Sequence, residues 1–360
     1  MCQPPRRDFG HAVGDGGKLH TPVGDMGYLP VGKLSMEHLE KLLASVEMPD
    51  PRVVVGPRIG EDAAVLDFGE KYLVAKTDPI TFTVERIGWY AVNVNANDVA
   101  VMGARPMWFL ATVLLPEGKT SPALADRIFE DIRLACQELG VSLCGGHIEV
   151  TFGLPRPIVV GQMLGEVRKD KLIRNDRMSV GDDIVLIGGV AVEGTSVIAR
   201  EKTEDLRRTF GKRFVDRAKG FLTAPGISVV RAALHAAESA RINAMHDPTE
   251  GGLATGLHEL AAASGVGIVL NPQKVFVFPE TEAICKHYQL DPLGLLASGA
   301  LLAVTPPDET QNLLRAMKKA SIPCSIIGKA VPKEQGITIE LEGKLKPLPR
   351  YDSDELTRIL

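Results

Sequence analysis

Apolar positions along the chain change period repeatedly, and the changes mark out alternating helices and strands. "KLSMEHLEKLLASV" (33–46) has helical spacing, with Ser35 placed to cap its N-terminus. "EDAAVLDFG" and "KYLVAKTD" are short β-rich runs separated by Gly69 and Glu70, which predicts a hairpin. "NVNANDVAVMGARP" (93–106) reads as a helix stopped by Gly103 and Pro106. "MWFLATVLLP" (107–116) is a strand, and "SPALADRIFEDIRLACQELG" (121–140) is a long helix with proline near its start and Gly140 at its end. "VSLCGG" (141–146) and "RPIVVGQMLGEV" (156–167) are further strands.

The stretch "KDKLIRNDRMSVGDD" (169–183) is polar and charged, and the domain junction is placed there. A second unit of the same kind opens with "DIVLIGG" (183–189). Helices are expected around 193–201, 204–220, 226–240, 251–265 and 308–320, with strands at "VGIVL", "GALLAVTP" and "CSIIGKAV". The fold class is therefore α/β (α+β) in two domains. An irregular arm occupies 1–30, an N-terminal domain 31–168, a C-terminal domain 175–335 and a tail 336–360.

Composition narrows the function without naming it. The 360 residues are 45% hydrophobic and 24% charged, as in ordinary globular proteins. A net charge of −4 and 5% aromatic residues give no basic surface and no stacking platform for nucleic acid. No apolar run is long enough to span a bilayer, and the N-terminus lacks the apolar core of a signal peptide. The cysteines Cys2, Cys136, Cys144, Cys285 and Cys324 form no CxxC pair, and their scattered, odd number suits a reducing cytoplasm.

The chemistry is expected from acids in apolar settings. Asp62 in "RIGEDAAVLDF", Asp78 in "VAKTDPITF", Asp98 in "NANDVAVMGARP" and Asp247 in "MHDPTEGGL" each stand where an unpaired charge is costly. Asp98 is also a poor helix former inside a helical stretch, with no cap or turn to make there. A shared cation accounts for all of them, and carboxylates with few histidines suit Mg²⁺ bridging to phosphates. Taken singly, each has a plainer reading as a turn or cap, and Asp247 could cap the helix starting near Glu250. Three glycine stretches are weaker signals. "GDGGKL" (14–19), with Lys18, is either a phosphate wrap or a loose leader. "CGGHIEVT" (144–151) sets Gly145, Gly146 and His147 after a strand, either for close ligand approach or as a plain turn. "GGVAVEGTS" (188–196) is an anion site or, more simply, a helix-packing element.

In order, "GEDAAV", "KTDPI", "NANDVAVMGARP", "GGHIEVT" and "DPTEGGLATGLHELAAASGVGI" resemble the motifs of the aminoimidazole ribonucleotide (AIR) synthase (PurM-like) superfamily, over roughly residues 31 to 332. That superfamily also holds thiamine-monophosphate kinase, selenophosphate synthetase and the hydrogenase-maturation protein HypE, and "LPVGKL" adds to the likeness to HypE and AIR-synthase-related proteins. The resemblance implies an N-terminal domain whose strands join a partner's into a barrel, a homodimer, and ATP held through Mg²⁺. It makes Asp62, Asp78 and Asp98 metal–phosphate residues, with Asp247 a fourth. Asn95, Gly145, Gly146 and Lys18 become nucleotide or substrate contacts, with Asp98 and His147 catalytic. The implied chemistry is transfer of the ATP γ-phosphoryl group to an oxygen of a small molecule or carried group. A small-molecule kinase of the thiamine-monophosphate type, or a non-catalytic nucleotide-binding partner in metalloenzyme maturation, are the alternatives. Three departures stand out: the chain ends "YDSDELTRIL" without the cysteine of HypE, the arm has no cysteine beside Lys18, and His147 stands where many relatives carry aspartate.

Overall fold

The hairpin read at 64–78 is the centre from which the first of two sheets grows. The computed structural model describes residues 33–81, 83–351 and 353–360, and all structural statements concern these. In chain order the first domain runs α1 (Met36–Leu43), β1 (Val53–Val55), β2 (Ala64–Asp67), β3 (Lys71–Ile80), α2 (Ile87–Val101), β4 (Arg105–Pro116), α3 (Pro122–Leu139), β5 (Ser142–Thr151) and β6 (Ile158–Arg168). Its sheet has the order β1-β2-β3-β6-β4-β5, antiparallel except for the parallel pair β4–β5. The mixed α/β class with two sheets is the one the sequence predicts.

Local signals explain the helix ends. Ser35 accepts from the His38 N–H at 3.2 Å and caps α1. Ser121 accepts from the Leu124 N–H at 3.3 Å, Pro122 sits in the first turn, and Gly140 closes α3 in the left-handed region. Helix α2 is buried on every side, which is why its sequence lacks an amphipathic stripe. It is fixed to the second domain by Asn97, whose Nδ2 donates to the Ile227 carbonyl at 2.9 Å and whose Oδ1 accepts from the Val229 N–H at 2.8 Å.

The second domain runs β7 (Asp183–Ile187), α4 (Val192–Glu201), α5 (Thr203–Phe210), α6 (Lys212–Gly220), α7 (Val230–Ser239), β8 (Ala244–His246), α8 (Gly252–Ser264), β9 (Gly267–Leu270), α9 (Pro279–Tyr288), β10 (Leu301–Thr305), α10 (Pro307–Lys319), β11 (Cys324–Val331), β12 (Ile337–Leu341) and β13 (Lys344–Pro347). Its sheet has the order β13-β12-β9-β11-β7-β10-β8. Three features differ from the sequence reading. The helix expected over 204–220 breaks at Gly211, whose φ of 84° is open to glycine and strained for other residues. Helix α9 was not expected. Residues 337–347, read as tail, are strands, and β12 pairs in parallel with β9 through Ile337 and Ile268.

Candidate acidic active site

Strand β3 sends Lys76 and Asp78 to one face, because strand side chains alternate. Asp98 on α2 faces them, and the Lys76 ammonium stands 3.4 Å from Asp98 Oδ1 and 3.8 Å from Asp78 Oδ2. From the second domain, β8 ends at His246 and delivers His246 and Asp247 to the same place. Carboxylate and imidazole ligand atoms of Asp62, His246 and Asp247 all lie within 4.8 Å of one another. Asp62, Asp98 and Asp247 are buried, whereas Asp78 is partly open. Asn95, one turn before Asp98, donates from Nδ2 to the Asp78 carbonyl at 3.2 Å and to the Ala91 carbonyl at 2.8 Å, and leaves its buried Oδ1 without a partner.

The hydrogen bonds divide these groups into two kinds. Asp62 is fully engaged: Oδ1 accepts from His246 Nδ1 at 2.7 Å, and Oδ2 from Asn175 Nδ2 at 3.0 Å. The other imidazole nitrogen meets Glu259 Oε2 at 2.9 Å, and Lys33 reaches Glu259 Oε1 at 3.3 Å. Burial opposes a charge on His246, but Asp62 and Glu259 outweigh it and raise the imidazole well above its ordinary value. His246 thus bridges two carboxylates, with both ring nitrogens engaged in the metal-free protein. Asp98 Oδ2 and both oxygens of Asp247 are buried with no partner at all. Burial pushes Asp98 up to about 8, with Asp78 and Asp62 adding to the rise against the pull of Lys76. Asp247 is raised well above the usual carboxylate range by burial and by Asp98 and Asp62.

This arrangement fits a hard divalent cation. Three orphaned carboxylate oxygens, flanked by engaged ones, are an all-oxygen donor set in need of positive charge. The plainer reading of Asp247 as a helix cap fails, since α8 begins after Gly251 with no side-chain cap. Asp98 lies in the last turn of α2, three residues before Val101, where a carboxylate caps nothing and the helix dipole disfavours it. The sequence reading missed Lys76, His246, Glu259 and Asn175. Lys76 had a visible signal, two residues before Asp78 on the same strand face, but the histidine bridge depends on tertiary contact alone.

Gly145, Gly146 and His147 are elsewhere in the protomer. They lie inside β5, at the edge of the first sheet, and not after a strand as expected. The register sets Asp78, Gly161, Ala111 and Gly146 in one row across four strands, so Asp78 and Gly146 are three strand spacings, about 14 Å, apart. Gly146 has a local cause, since a Cβ there would stand 2.0 Å from the Ala111 carbonyl oxygen. His147 is exposed and meets Glu149 at 3.1 Å. In "GGVAVEGTS", a Cβ on Gly194 would meet Leu295 at 2.5 Å, as the packing reading requires. Lys18 lies outside the described residues.

Comparison with known proteins places this architecture. The N-terminal domain of AIR synthase related proteins matches residues 60–167, and the C-terminal domain of the same proteins matches residues 179–340. The chain belongs to the AIR synthase related family. Among its relatives, the hydrogenase expression/formation protein HupE of Azotobacter chroococcum mcd 1 is 30% identical over 285 residues, 77% of this chain and 80% of that protein. The carbamoyl dehydratase HypE of Cupriavidus necator is 32% identical over 244 residues, 67% of this chain and 66% of that protein. Two solved HypE structures share the fold: one in a HypE–HypF complex (TM-score 0.68, 24% identity, 81% of this chain and 93% of that one), the other with ATP (TM-score 0.67, 23% identity, 89% and 93%). In this AIR synthase related protein, no helix of the described residues is long and apolar enough to cross a membrane.

Proposed function

We propose that this protein is an ATP- and Mg²⁺-dependent enzyme that passes the γ-phosphoryl group of ATP to an oxygen of a small molecule or carried group. The observation that carries the reading is the set of buried carboxylate oxygens on Asp98 and Asp247 left without partners. The relatives support it, since one bears the name carbamoyl dehydratase and a structural neighbour was solved with ATP. When bound, Mg²⁺ neutralises the phosphate oxygens and the carboxylates together. Asp62, Asp78, Asp98 and Asp247 hold it, and Lys76 holds Asp98 and Asp78 in place. His246 orients Asp62 through the hydrogen bond from Nδ1. The bond from the γ-phosphorus to the bridging oxygen breaks as the bond to the acceptor oxygen forms, and ADP leaves. Catalysis is positioning and charge neutralisation rather than covalent chemistry by the protein.

The proposal includes a homodimer joined along the first sheet. Strand β5 is an open edge carrying exposed Ile148 and Val150 and is followed by Phe152, 83% exposed, which is the pattern of a covered surface. Gly145, Gly146 and His147 enter the reading as site residues only through that interface, because within one protomer they stand apart. By likeness to HypE in its HypF complex, a maturation partner protein belongs to the proposal as well. The free thiols Cys136, Cys144, Cys285 and Cys324 fit a cytoplasmic setting. Thermal denaturation tests the nucleotide site. ATP should raise the midpoint only when Mg²⁺ is present, and Asp98→Asn should remove the rise. An equal rise without Mg²⁺, or one that survives in Asp98→Asn, would sink the reading.

A further inference from the structure

A second space adjoins the acidic cluster and has different chemistry. It is a cavity of about 360 Å³ between the domains, lined on its polar side by Asp78, Thr81, Thr249, Glu250, Glu193 and Ser298. Its size matches small-molecule sites. Ile80, Val94, Val197 and Leu296 give it apolar walls.

Two groups in this cavity are buried with little polar company beyond each other. The Ser298 hydroxyl is 1% exposed and lies beside the Glu193 carboxyl. Glu193, in the first turn of α4, is buried, and none of the ion pairs among the described residues includes it. Burial pushes the Glu193 carboxyl up to about 7, against the favourable pull of Ser298 beside it. Glu250, on the same lining, is raised for the same first reason. Lys33 is the only base among the described lining residues, and Glu259 already engages it. A buried carboxyl with only Ser298 beside it and a second acid, facing an apolar space with no free base among the described lining residues, call for hydrogen-bond donors with positive charge from outside the chain.

We propose that this cavity is the acceptor site, and that Glu193 and Ser298 select a small molecule bearing a protonated amine or amidinium group. The inference rests on the phosphoryl-transfer reading, which sets Asp78, part of the cavity lining, beside the phosphates. The acceptor's cationic nitrogen lies against Glu193 and Ser298, and its oxygen points back toward Asp78. An anionic acceptor is disfavoured, because it would face two carboxyl groups with no free base among the described lining residues.

The test uses the intact protein and named probes. Wild type is saturated with Mg²⁺ and a non-hydrolysable ATP analogue, and its melting midpoint is read with benzamidine, methylguanidine or ethanolamine. Benzoate, acetate and glycolate are the matched anions. At least one cation should raise the midpoint by 2 °C or more at about 10 mM, the anions should not, and the rise should vanish in Glu193→Gln and shrink in Ser298→Ala. No rise with any cation, a rise with the anions, or a rise kept in both variants would overturn the inference. Binding of the analogue to wild type, measured alone by calorimetry, reports separately on the phosphoryl-transfer reading. If Glu193→Gln fails to fold, Ser298→Ala decides: an undiminished rise there overturns the inference.

Discussion

Two buried aspartates in this molecule are treated in opposite ways. Asp354 is 6% exposed and satisfied: Oδ2 accepts from the Gly251 N–H and Oδ1 from the Leu356 N–H, each at 2.8 Å. Asp247, four residues before Gly251, is 1% exposed, and neither of its oxygens has a partner. The first is an anchor. It ties residues 353–360 to the turn that opens α8, with Glu355 accepting from the Asp291 N–H, and Tyr351 donates to Asp291 as well. On the proposed reading, the second is kept free to meet a bound cation. Burial alone does not separate structural from functional acids; satisfaction of the hydrogen bonds does.

The largest effect expected from this contrast is on stability, and it differs in sign. Asp354→Ala strands two backbone donors and should cost about 2–6 kcal/mol, at roughly 1–3 kcal/mol for each unsatisfied group. Asp247→Asn should instead stabilise the metal-free protein by about 1 kcal/mol, because it removes an uncompensated charge. Urea denaturation in EDTA measures both, and a cost for Asp247→Asn equal to that of Asp354→Ala would erase the distinction.

The next effect is on pH dependence. Asp98 is pushed up to about 8 and Asp247 is raised in the same direction. A raised folded-state value means that the folded protein holds the proton more tightly than the unfolded chain does. The associated stability is therefore fully present below the ordinary carboxylate value of about 4 and is lost as pH rises through 8. The urea midpoint of metal-free protein should fall between pH 6 and pH 9, and Mg²⁺ should flatten the fall. A profile that is the same with and without Mg²⁺ would mean that the two acids do not meet the cation.

The smallest effect sharpens the other contrast, between the acidic site and the β5 edge. Val150→Lys alters an exposed side chain and should change protomer stability by less than about 0.5 kcal/mol. It should nevertheless shift sedimentation from dimer to monomer. An unchanged sedimentation profile would remove β5 from the interface, and His147 from the site with it.

Much of this was legible in the sequence, and the reasons are local. Gly103, Gly140 and Pro122 mark helix ends because backbone geometry forces them to, and Asp98 stood out because nothing in its helix could use a carboxylate. Helix α9 and strands β12 and β13 escaped notice because their signals are short and their stability comes from neighbours such as β9. His246 escaped because its role is set by Asp62 and Glu259, which are distant in sequence and meet only after the domains pack. Gly145 and Gly146 looked like ligand contacts, yet Gly146 is already required by the approach of β4.

The most direct test of the central claim is calorimetric titration of ATP into wild type and Asp247→Asn, with and without Mg²⁺. The account predicts magnesium-dependent binding to wild type and a loss of at least tenfold in affinity in Asp247→Asn, about 1.4 kcal/mol. Equal affinity in the two proteins, or binding indifferent to Mg²⁺, would contradict it.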